Sequence, residues 1–100
     1  MPSLRVRIVR FVDEEPQPGI VEAEFRDAYD QVHRMIDKVP IFTVEMLWSD
    51  SEYPQAGDVD CEILERMRGS NESNLVRIAT LEDTFGQSEF VVNEVDISDE

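Results

Sequence analysis

The stretch Asp27-Ala28-Tyr29-Asp30-Gln31-Val32-His33-Arg34-Met35-Ile36-Asp37-Lys38-Val39 decides the fold of this chain. Counted from Phe25, the residues Ala28, Val32, Met35, Ile36 and Val39 recur at helical spacing, and Pro40 would end such a helix. The same letters also read as a tight turn over 27–31 followed by a strand returning from Val32 to Val39. The first reading gives an α+β protein with one helix at about 27–39 packed on a sheet; the second gives an all-β chain.

The flanking segments read as strands. Leu4, Val6 and Ile8 alternate with Arg5 and Arg7, and the run continues through Val9, Phe11 and Val12 with an expected bulge or twist. A cluster of turn formers, Asp13-Glu14-Glu15-Pro16-Gln17-Pro18-Gly19, separates this run from Val21, Ala23 and Phe25, which alternate with Glu22, Glu24 and Arg26. A β-hairpin is expected. Further on, Ile41–Trp48 is apolar enough to be buried and Ser49–Asp58 reads as a long loop. Val59–Arg68 and Leu75–Leu81 form a second expected hairpin around the turn chemistry of Gly69–Asn74. A turn at Thr84–Gln87 leads to a last strand within Glu89–Ile97, and 98–100 should fray. Neither internal repeats nor low-complexity tracts stand out.

The segments Val21–Ala28, His33, Ile36–Phe42, Ser51–Gln55 and Phe90–Val92 together resemble a group of short uncharacterised bacterial proteins. In that group a glycine commonly stands where this chain has Asp30, so the resemblance implies a hairpin turn there. It carries no function across. With the strand reading adopted for 32–39, the expected fold is a compact antiparallel barrel or sandwich of five to six strands, one domain over residues 1–100. The α+β arrangement stands as its alternative.

The chain has 100 residues, of which 41% are hydrophobic and 32% charged, the balance of a globular domain. A chain this short buries about 60–65% of its unfolded surface, which leaves little interior for an enclosed ligand cavity. No apolar run approaches the length of a membrane span, and the N-terminal residues lack the apolar core of a signal peptide. A cytoplasmic protein is expected, and the lone Cys61 agrees with a reducing compartment. The net charge is −14, from 23 acidic against 9 basic residues. Arg5, Arg7 and Arg10 lie in the acid-free first ten residues, and no cation follows Arg77. Duplex nucleic acids and anionic membranes should repel such a chain, whereas a basic protein should be drawn to it. The charge asymmetry of the ends, Arg5 and Arg7 against Glu89, Glu94 and Asp96, also predicts that the two terminal strands lie adjacent or share one exposed face.

Candidate chemistry is sparse. His33 is the single imidazole, so no Ser-His-Asp or Cys-His constellation is indicated, and it reads as a surface or cross-strand residue. Cys61, between Asp60 and Glu62, reads as a small core residue, because a reactive thiolate needs an electropositive setting. One His and one Cys fall short of a zinc site. Asp58, Asp60 and Glu62 would project from one strand face about 6.5–7 Å apart; without a calcium-type loop they read as a solvated acidic face. No glycine-rich nucleotide loop is present in the sequence. No catalytic residue, metal or cofactor is assigned, and the chain is expected to be no enzyme. The candidate partner-binding residues are Met46, Trp48 and Tyr53, aromatic and thioether anchors beside an acidic loop; the competing reading places Trp48 and Leu47 in the core. Two function classes follow. One is an acidic interaction module, inhibitor- or immunity-like, binding a basic partner as a monomer or weak homo-oligomer. The other is a structural or accessory domain that self-associates through sheet edges. A small-ligand or enzymatic role ranks third.

Overall fold

The computed structural model describes residues 1–69 and 73–99. Eight strands run in order among them: β1 (Ser3–Asp13), β2 (Ile20–Arg26), β3 (Val32–Lys38), β4 (Gln55–Asp60), β5 (Glu62–Arg68), β6 (Asn74–Ala79), β7 (Glu89–Asn93) and β8 (Ile97–Ser98). Two antiparallel sheets form, one ordered β3-β2-β1-β4 with β8 also paired to β1, the other β5-β6-β7. The fold is all-β and the sheets do not close into a barrel, so the sandwich alternative holds. Residues 27–39 carry no α-helix: Asp30 takes a left-handed conformation at φ 65° and reverses the chain, and β3 pairs β2 from Ile20↔Lys38 to Arg26↔Val32.

Strand alternation explains the core. Leu4, Val6 and Ile8 of β1, Val21, Ala23 and Phe25 of β2 and Met35 of β3 point inward against Val76 and Ile78 of β6 and Phe90 and Val92 of β7. Each large side chain so buried contributes about 1.5–3 kcal/mol relative to exposure. The bulge expected in β1 lies between Ile8 and Arg10 and restores the phase so that Phe11 packs against the core.

Three expectations need correction. The run from Val59 to Arg68 is not one strand: at buried Cys61, whose N–H donates to the Pro2 carbonyl (2.9 Å), the chain leaves the first sheet and enters the second. The last strand likewise splits, a 3-10 turn at Glu94–Asp96 carrying the chain from β7 back to β8. These two corners raise the strand count above six. Third, Ile41–Trp48 is not wholly buried, and Gln55–Asp58 belongs to β4 rather than to a loop. The middle of the expected turn at Gly69–Asn74, residues 70–72, lies outside the described residues, as does Glu100; of the tail expected to fray, Ser98 is instead held in β8 against Ser3. The terminal strands do meet: β8 pairs β1 at Ser3↔Ser98 and Leu4↔Ile97, and Arg5 lies 4.0 Å from Asp96. Arg7 instead pairs with Glu24 at 3.2 Å, while Glu94 and Glu89 go to Arg66 and Arg77.

Candidate functional site

After β3 the chain makes a 3-10 turn at Val39–Ile41, with Pro40 inside the turn where a missing N–H costs nothing. Phe42 is fully buried, and its carbonyl accepts the N–H of Asp58 (2.9 Å), which fastens the start of the long loop to the edge of β4. Gly57 makes this approach possible, since a Cβ there would stand 2.7 Å from the Phe42 oxygen. Leu47 supplies a second anchor, buried in the core. Pinned at both points, the loop turns its alternate residues outward: Val44 is fully exposed, Met46 64% and Trp48 55%.

The backbone of Trp48 is held more firmly than its exposure implies. Its N–H donates to Ser51 Oγ (2.9 Å), and its carbonyl accepts both the Ser51 N–H (3.1 Å) and the Tyr53 hydroxyl (2.7 Å). Tyr53 packs its ring against the core. Burial holds its phenol above the ordinary value, with the Ser51 hydroxyl acting in the opposite direction and the Asp50 charge reinforcing burial. Tyr53 therefore remains a donor to Trp48 across ordinary pH. Of the three expected partner-binding residues, Met46 and Trp48 present their side chains to solvent and Tyr53 serves as the clamp beneath them.

Two shallow clefts flank this ledge and share Pro18. One, of about 450 Å³, lies between the Trp48 side chain and the β1–β2 loop, with Glu14 and Asp50 on its rim; the other, of about 330 Å³, runs past Pro40, Val44, Glu45 and Met46. No Lys or Arg occurs between Lys38 and Arg66 or between Arg10 and Arg26. Among the described residues, Glu14, Glu45, Asp50 and Glu52 make no ion pair.

Of the two readings of His33, the cross-strand one holds: it stands opposite Phe25 of β2 and is not a surface residue. Its side chain is 13% exposed and packs against Phe25 and Phe90, with ring centroids 5.2 and 4.6 Å away. Nε2 lies 2.7 Å from Asp27 Oδ2 and Nδ1 lies 3.5 Å from Asp83 Oδ2, so the imidazole bridges a turn of each sheet. The second oxygen of each carboxylate closes its own turn. Asp27 Oδ1 accepts the N–H groups of Tyr29 (2.8 Å) and Gln31 (3.0 Å), and Asp83 Oδ1 those of Phe85 and Gln87 (both 2.9 Å). The turns also exchange bonds between sheets: Ala28 N–H donates to Val91 O, and Thr84 N–H to Arg34 O, each at 2.9 Å. Burial acts to raise the Asp27 pKa, but bonds from His33, Gln31 and Tyr29 and the His33 charge outweigh it, so the carboxyl is held below its ordinary value.

A repeat that looks absent from the sequence is therefore present on a small scale. Asp27-Ala28-Tyr29-Asp30-Gln31 and Asp83-Thr84-Phe85-Gly86-Gln87 are the same turn, with Asp first, an exposed aromatic third, a left-handed residue fourth and Gln fifth. That shared spelling was the available signal for the pairing around His33. Through these bonds the constellation clasps the two sheets together. Cys61 is buried as expected; burial and the charges of Asp60 and Asp99 push its thiol up, away from reactivity. Asp58 and Asp60 lie in β4 but Glu62 lies past the corner in β5, so the three carboxylates do not share one strand.

No family model matches the chain, and no curated protein or solved structure matches it.

Proposed function

We propose that this protein is a non-enzymatic acidic interaction module, inhibitor- or immunity-like, that docks a basic protein on the Met46–Trp48 ledge. The observation that carries this reading is a large aromatic side chain left more than half exposed while its backbone is fixed by three hydrogen bonds and its neighbour Leu47 is buried. A loop ordered before binding loses less conformational freedom on association. Tryptophan and methionine are enriched where interfaces concentrate their affinity.

The chemistry of the ledge selects the partner. A lysine or arginine of the partner entering the cleft beside Trp48 meets an aromatic face and the carboxylates of Glu14 and Asp50 together, a combination that favours cations over neutral groups. The surrounding field, from a chain of net charge −14, accelerates encounter with a cationic surface and makes the association salt-sensitive. The test is affinity capture from the native host with the wild-type chain and with the double variant Met46→Ser/Trp48→Ser as baits, each at low and at moderate salt. A basic protein retained by the wild type, released by salt and missing from the variant is the expected result. Equal retention by both baits would place the interaction elsewhere on the surface and end this reading.

A further inference from the structure

Six of the nine Lys and Arg residues, Arg5, Arg7, Arg10, Arg26, Arg34 and Lys38, belong to β1, β2 and β3. They alternate with the buried residues of those strands and so project from the outer face of the first sheet, the one surface of this chain where cations are concentrated. Within that face the sheet is interrupted. Along one edge of β1, β8 covers Ser3 and Leu4 and β2 takes over at Arg7, while Arg5 and Val6 between them have no ladder partner on that side. The opposite edge is paired with β4 from Ser3 to Ile8 without a gap.

The interruption opens a notch of about 290 Å³. Arg5, Arg7 and Arg26 surround it with Glu24 and Asp96, and the half-exposed Val32 supplies an apolar wall. The two acids do not neutralise the three guanidinium groups. Arg7 is engaged at 3.2 Å by Glu24, a carboxylate that Arg34 also reaches at 3.6 Å, Arg5 only reaches Asp96 at 4.0 Å, and among the described residues Arg26 has no ion pair. One unit of positive charge is left over, in a chain that is otherwise strongly acidic.

We infer that this notch binds a carboxylate carried on an apolar group, the chemistry of a peptide C-terminus ending in an apolar residue. A guanidinium fork matches the two oxygens of a carboxylate. A monoanion balances the single excess charge, whereas a dianionic phosphate would place surplus negative charge beside Glu24 and Asp96. The apolar tail lies along Val32. This inference is independent of the ledge around Trp48, which is formed by different segments.

The experiment is an amide-resolved NMR titration of the intact protein with three probes: N-acetyl-leucine, N-acetyl-leucine amide and inorganic phosphate. The expected result is a saturable millimolar shift of the Arg5, Val6 and Arg26 amides with N-acetyl-leucine, none with the amide, and a weaker response to phosphate. The variant Arg26→Gln changes an exposed side chain; with its spectrum otherwise retained, it should bind N-acetyl-leucine about tenfold or more weakly, the loss that follows from removing one charge-assisted contact. Equal shifts with acid and amide, tighter binding of phosphate, no saturable shift at these residues, or unchanged affinity in Arg26→Gln would each overturn the assignment.

Discussion

Replacing Asp83 by alanine should be among the most damaging single changes in this protein, and the structure sets its size. The Asp83 side chain is 2% exposed; one oxygen accepts two backbone N–H groups and the other faces His33. Hydrogen bonds to a charged acceptor contribute about 1.5–3 kcal/mol each. Because the tip of the turn, at Phe85 and Gly86, is open to water, the released amides are partly rehydrated and the lower end applies. Two bonds at that value cost about 3 kcal/mol. Against a typical domain stability of about 5–15 kcal/mol this is a large fraction. At about 4–8 °C per kcal/mol for a chain of this size, the melting temperature should fall by more than about 10 °C. Asp27→Ala removes the equivalent bonds in the twin turn, but its amides are exposed and the expected loss is nearer about 2 kcal/mol. Urea unfolding followed by far-UV circular dichroism measures both. A loss below about 0.5 kcal/mol for Asp83→Ala, the scatter of ordinary surface substitutions, would refute the clasp.

Two further expectations follow from the same turns. Gly86 has φ 84° with nothing within 4 Å of where a Cβ would stand, so Gly86→Ala should lose about 1–2 kcal/mol from backbone conformation alone, and Gly86→Asn less, as read from urea midpoints. The depressed pKa of Asp27 contributes stability that is present above its unfolded value, near 3.8, and is lost as pH falls through the folded one. The stability gap between wild type and Asp27→Asn should therefore be widest above pH 3.8 and close below it, in urea midpoints collected across an acid pH series.

Much of the fold was legible because a sheet with one buried face writes itself as alternation. Leu4-Arg5-Val6-Arg7-Ile8 and Val21-Glu22-Ala23-Glu24-Phe25 state both the strands and their inner faces. The helical spacing of Ala28, Val32, Met35, Ile36 and Val39 misleads because Val32 and Ile36 stand on the outer face beside charged neighbours, so only Met35 and Val39 of that set from β3 onward are core. The corner at Cys61 leaves no mark in a period-2 pattern, since Val59, Cys61 and Ile63 keep one phase while the chain changes sheets; at Glu94–Asp96 the phase shifts instead, from Phe90 and Val92 to Ile97. The cross-strand place of His33 opposite Phe25 is legible, but its carboxylate partners are not: Asp83 lies 50 residues away and is brought near only by the packing of two sheets. Around Trp48, apolar composition points to burial, but Ile41, Val44, Met46 and Trp48 are exposed, and composition alone does not separate a core segment from an exposed one.

The distribution of charge ties these features together. With 23 acids against 9 cations, a uniform surface would repel itself throughout. Instead three arginines each lie between two carboxylates: Arg34 between Glu22 and Glu24, Arg66 between Glu94 and Asp99, and Arg77 between Glu65 and Glu89. Exposed pairs of this kind contribute little singly, but shared cations relieve repulsion at each sheet surface and so matter more than a pair count implies. The scarce cations are thus spent on the strands, and none lies within the loop segments that carry Glu14, Glu45, Asp50 and Glu52. A domain that required only solubility would gain from distributing its arginines among those acids as well. Their absence there leaves Glu14 and Asp50 uncompensated beside the exposed Trp48, and Glu45 beside Met46, which is the charge arrangement on which the proposed docking of a basic protein rests.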